Sequence, residues 1–122
     1  MARKLVLVLV AALALAVAGV ALGGGTLKIS ADKTNKLAFD KKSLKTTAGM
    51  VTIVMANPAI LKHNVAIRAG TTAKSKLIAK GKVVGKGGVS RVTAVLKKGK
   101  YRFLCTVPGH EAAGMWGILT VT

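Results

Sequence analysis

The chain has 122 residues and a lopsided charge, Lys+Arg 20 against Asp+Glu 3, for a formal net charge of +17. That length holds one hydrophobic core and excludes a second ordinary domain. A single cysteine excludes an internal disulfide, and only Phe39, Tyr101, Phe103 and Trp116 offer aromatic faces, so no nucleic-acid partner is expected for the charge.

Residues 1–24 read as an address. Met1-Ala2-Arg3-Lys4 is basic, Leu5 to Leu22 carries no charge, and small residues follow up to Gly23-Gly24-Gly25. This order is that of a secretory signal, with cut sites after Ala18 or Ala21. The run is also long enough to stay in place as a membrane anchor. Either outcome exports the remainder, residues 25–122, to the periplasm or the cell surface. No cysteine near the cut invites lipidation, and no Arg-Arg pair marks twin-arginine export.

The exported part is written in short β-type runs separated by Gly, Pro, Asn and Lys. Thr26 to Ser30 alternates and predicts a first strand. Leu37 to Asp40 and Ser43 to Thr47 predict a second, broken one. Ala48-Gly49 is a turn before the β-branched run Val51 to Ala56, which ends at Asn57-Pro58. His63 to Ile67 predicts another strand. Thr71 to Lys80 fits either a short helix or an irregular connection, and Val83-Val84 an edge strand. Val89 to Leu96 and Tyr101 to Cys105 flank Lys97-Lys98-Gly99-Lys100, which reads as a hairpin. Met115 to Val121 closes the chain. The expected fold class is all-β, a sandwich or barrel.

Alternation along Tyr101 to Cys105 turns Tyr101, Phe103 and Cys105 to one face, the core side. A lone thiol in an oxidising compartment is a liability unless it is a ligand. Cys105, His110 and Met115 follow at five-residue steps, and the only other histidine, His63, opens an earlier strand. Two imidazoles, one thiolate and a weak axial thioether suit a trigonal copper site that tolerates both Cu(I) and Cu(II). Glu111, beside His110, reads as an exposed carboxylate unrelated to the metal.

The Cys105–Met115 segment resembles the cupredoxins, most closely their Cys-x4-His-x4-Met group, which includes rusticyanin, auracyanin and sulfocyanin. Plastocyanin and azurin are similar with one gap shorter. Leu37 to Asp40, Ala48-Gly49, Val51 to Asn57, His63 to Ile67 and Lys97 to Cys105 also resemble the family's strands. The resemblance implies a Greek-key β-sandwich holding one copper ion, with His63, Cys105 and His110 as equatorial ligands and Met115 as the axial one. Asn64 and Thr106 match positions that brace the ligand loops, although Asn64 alone could equally cap a turn.

The implied function is one-electron transfer as a monomer, without enzymatic activity; copper buffering is the alternative. Val107, Pro108, Ala112 and Ala113 form the expected apolar docking patch around His110. The lysines suit an acidic redox partner, such as a cytochrome or a membrane oxidoreductase, or an anionic membrane or cell-wall surface. A Cys–His nucleophile would leave Met115 without a role. A multicopper oxidase needs more histidines, a binuclear copper centre a second cysteine. Gly81 to Gly87 falls one residue short of a phosphate loop and lacks its Ser or Thr.

Overall fold

The structure is a computed structural model that describes residues 23–122; residues 1–22 of the predicted signal or anchor lie outside them, and Gly24 already belongs to the first strand. Eight strands form two sheets: β1 (Gly24–Ser30), β2 (Ser43–Thr46), β3 (Gly49–Ala56), β4 (Ala66–Arg68), β5 (Leu77–Lys80), β6 (Val89–Leu96), β7 (Gly99–Leu104) and β8 (Trp116–Val121). One sheet has the order β1-β3-β6, the other β2-β8-β7-β4-β5. The pairs β1–β3 and β2–β8 are parallel; the remaining ladders are antiparallel. The all-β sandwich expected from the sequence is therefore the fold.

Period-two patterning explains the core. Val51, Ile53 and Met55 point inward from β3 while Met50, Thr52 and Val54 point out. Val92 and Leu96 do the same on β6, and Phe103, Leu119 and Val121 face them from the other sheet. Phe39 packs against Phe103 with ring centroids 5.6 Å apart. Tyr101 is half-buried at the edge of this cluster.

Several predicted elements are corrected. Lys97 to Lys100 is not a hairpin: β6 pairs with β3, and β7 with β4 and β8, so the connection crosses from one sheet to the other. A turn signal marks a reversal of the chain, but the choice of partner is made by the whole ladder. Thr71 to Lys80 forms turns and then strand β5. Val84 makes only an isolated bridge, to His63, and Phe39 only one to Ala31. The strand predicted from His63 begins at Ala66, because His63 to Val65 bond to Val84, Gly81 and Ser90 instead of to a regular ladder.

The strands run between two poles. At one, Gly24 lies opposite Met50 and Gly49 opposite Leu96, and the Ala48 N–H donates to the Thr122 carbonyl. At the other, Ala56 lies opposite Val89, and Asn57, His63, Val84 and Gly88 are joined by backbone hydrogen bonds. The loop from Cys105 to Met115 belongs to this second pole.

Candidate metal centre

His63 is held by reciprocal backbone hydrogen bonds with Val84, 3.1 Å from its N–H and 2.8 Å to its carbonyl. Cys105 follows the last residue of β7, and its N–H donates to the Met115 carbonyl at 3.1 Å. Between them the chain winds through tight turns. Pro108 and Gly109 occupy the middle of a turn closed by the His110 N–H on the Val107 carbonyl at 3.0 Å, and Gly109 has φ +83°. Proline followed by a residue of positive φ is what a type II turn requires. The Met115 N–H then donates to the His110 carbonyl at 3.0 Å.

These segments bring His63, Cys105 and His110 together. The two Nδ1 atoms are 3.2 Å apart, and the Cys105 Sγ lies 3.9 Å from the His63 Nδ1 and 3.6 Å from the His110 Nδ1. Metal–ligand bonds of about 2.0–2.3 Å at trigonal angles separate N and S donors by about 3.5–3.8 Å. The triangle fits one ion. Facing lone pairs on two imidazoles repel unless a proton or a cation lies between them. The buried His63 Nε2 has no hydrogen-bond partner among the described residues, so Nδ1 is the atom the fold directs into the cluster. Met115 is fully buried in the same core cluster as Cys105.

Burial sets the protonation of these side chains. It holds the His63 imidazole below its ordinary range, helped by the charge of His110, and it lowers His110 as well. Burial pushes the Cys105 thiol up, against the backbone N–H groups of Asn64 and Val107, which act to lower it.

Asn64 braces the cluster. Its carboxamide accepts from the Thr106 N–H at 2.7 Å and donates to the Thr106 Oγ1 at 2.7 Å and the Gly81 carbonyl at 3.0 Å. Its own N–H points at the Cys105 Sγ, 3.5 Å away. Gly81 is glycine for a steric reason: a Cβ there would stand 2.6 Å from the Ser90 Oγ and 2.7 Å from the Arg91 carbonyl.

Glu111 is not the exposed carboxylate expected from the sequence. Arg68 grips it through Nε at 3.1 Å and a terminal nitrogen at 2.7 Å, and Arg102 adds a bond at 3.1 Å. The two arginines lie directly opposite each other on β4 and β7, where like charges repel. Glu111 neutralises that pair and ties the ligand loop to the sheet next to His110. Burial pushes its carboxyl up, but the two guanidinium groups outweigh this and hold it below its ordinary value of 4.5. Arg102 also lies 3.7 Å over the Trp116 ring. Two arginines on short strands, in a chain with so few acids, were the available signal.

Of the predicted docking residues, Pro108, Ala112 and Ala113 are exposed and Val107 is half-buried against the core. Ile60 and Leu61, which the sequence reading missed, add exposed apolar surface just before His63, at 72% and 45%. Pro58 interrupts the apolar pattern there, so no periodicity announced them.

A model of copper-binding proteins of the plastocyanin/azurin family matches residues 26–122. The chain belongs to that family. It is 36% identical over 91 residues to a plastocyanin of Ginkgo biloba, covering 70% of this chain and 89% of the relative. Among solved structures, a dithionite-reduced auracyanin of Roseiflexus castenholzii superposes with TM-score 0.69 at 30% identity, over 80% of this chain and 96% of its own. Auracyanin A, a blue copper protein of Chloroflexus aurantiacus, gives TM-score 0.69 at 30% identity, over 82% and 100%. The fold, membership of the cupredoxins and a copper cofactor are thus established together, with His63, Cys105 and His110 close enough to share one ion and Met115 buried in the same core cluster as Cys105.

Proposed function

We propose that the protein is an exported one-electron carrier in which His63, Cys105, His110 and Met115 would hold one copper ion. The donor triangle of two imidazole nitrogens and one thiolate carries this reading. Copper held there supplies a Cu(I)/Cu(II) couple whose two states accept the same soft and intermediate donors.

The protein's own contribution is rigidity and access. Asn64 and Thr106 lock the His63 segment to the Cys105 segment, so the ligands hold their spacing when the charge changes. His63, Cys105 and Met115 are fully buried, which keeps water from the site. His110 is only half-buried and forms the electron's way out. Around it Pro108, Ala112, Ala113, Ile60 and Leu61 present small apolar contacts.

Charge chooses the partner. Lys33, Lys36, Lys62 and Lys86 are exposed toward this pole, since Asn35 accepts from the Ile60 N–H and the Gly87 N–H donates to the Asn57 carbonyl. They favour an acidic redox protein and a fast, salt-sensitive encounter. Adding Cu(II) should give an intense visible thiolate band that Cys105→Ser abolishes. A colourless complex, or a colour that survives this substitution, would overturn the ligand assignment.

A further inference from the structure

The pole opposite the metal has its own chemistry. Its most exposed apolar side chains, Met50 at 62% and Val95 at 76%, are directly paired across β3 and β6. The turn next to them carries exposed Lys97 and Lys98. Lys100 and Lys45 flank Thr120 from either side, on the same face of the other sheet. Half-buried Tyr101 lies here too, its hydroxyl donating to the Lys97 carbonyl at 2.7 Å.

None of the three acidic side chains is at this pole. Glu111 sits on the ligand loop, and Asp32 and Asp40 bond around Ser30 and Ala38, where Ser30 lies opposite Ala56. The described chain also begins here, with Gly24 opposite Met50, directly after the uncharged run Leu5 to Leu22. Two apolar projections, four lysines and the point where an apolar segment joins the domain share one end of the molecule.

We infer that this pole is a lipid-facing surface: in the chain that keeps residues 1–22, Met50 and Val95 contact the bilayer while Lys45, Lys97, Lys98 and Lys100 bind anionic headgroups. The metal pole, about 20 Å away along the strands, then faces the aqueous phase and remains open to partners. Basic residues beside an apolar anchor add electrostatic attraction that a neutral bilayer does not offer.

The test uses the full-length copper-loaded chain in nanodiscs, either wholly zwitterionic or about one-third phosphatidylglycerol, read by amide hydrogen exchange. Anionic discs should slow exchange at residues 49–50 and 95–101 by about threefold or more, leaving 57–62 and 106–114 unchanged. The triple variant K97E/K98E/K100E should lose that difference while keeping the wild-type visible spectrum, which reports an intact fold at the other pole. Equal exchange in both discs overturns the inference, as does slowing at the metal pole. Slowing that appears in non-ionic detergent and grows with protein concentration assigns the face to a second copy instead. Slowing in neutral discs on adding a soluble polyanion, with none from anionic lipid, assigns the lysines to a polymer.

Discussion

Replacing Glu111 with alanine should destabilise the metal-free protein by about 2–3 kcal/mol, because it strands two guanidinium groups against each other. The carboxylate accepts three charged hydrogen bonds, at 2.7, 3.1 and 3.1 Å, from Arg68 and Arg102. The three side chains are only 16%, 19% and 10% exposed, so water replaces the lost partner poorly. Breaking one side of a fully buried pair costs about 3–5 kcal/mol. The smaller figure follows because Arg68 keeps the Ser75 carbonyl and Arg102 keeps the Thr71 carbonyl and the Trp116 face. The native carboxyl is held below 4.5, so its contribution is complete above that value and disappears as pH falls through the lowered one. Glu111→Gln should therefore flatten the acid limb of the stability curve. Urea unfolding from pH 7 down to pH 3, with a double-mutant cycle against Arg68→Ala, measures both effects. A loss below about 0.5 kcal/mol, or an unchanged acid limb, would refute the claim that this ion cluster clasps the ligand loop.

Asn64→Ala removes three side-chain hydrogen bonds from a buried position and should cost about 3 kcal/mol in urea unfolding. The same variant should alter the visible spectrum and reduction potential, since the Thr106 brace beside Cys105 is lost. Copper binding near pH 7 should release one proton, because burial keeps the Cys105 thiol protonated while both imidazoles are already neutral. Calorimetry in buffers of different ionisation enthalpy counts that proton; release of two or more would place a charged histidine in the metal-free site. Gly81→Ala should destabilise by about 1–3 kcal/mol in thermal unfolding, since the new Cβ meets the Ser90 hydroxyl and two backbone carbonyls.

The site was legible because its chemistry is carried by rare residue types: the only cysteine and both histidines fall within it. The strands were legible where one face is buried, as in Val51 to Ala56, whose alternation survives unchanged in β3. Sheet membership was not legible. Val89 to Leu96 and Gly99 to Leu104 are separated by two residues, yet they do not pair with each other: the first pairs with β3 and the second with β4 and β8. Local turn chemistry carries no information about such long-range ladders. Glu111 was misread for a related reason: Arg68 lies 43 residues away, and only the β4–β7 register sets it beside Arg102.

That same register explains why the metal ligands meet. In the β4–β7 ladder Ala66 lies opposite Leu104, so continuing it past the strand ends places Val65 opposite Cys105 and Asn64 opposite Thr106. The backbones no longer pair there, and the Asn64 carboxamide takes over, accepting from the Thr106 N–H as a backbone carbonyl would. On the other side of β7, Leu104 lies opposite Trp116, and one further step sets Cys105 opposite Met115, joined through the Cys105 N–H. Cys105 is therefore placed by two ladders at once and Met115 by the continuation of one of them, while His63 is held by its bridge to Val84. A slip of one residue in either ladder would turn a ligand to the opposite face. The geometry of the centre is thus a property of sheet pairing, with the loop between Cys105 and Met115 left to position His110 alone.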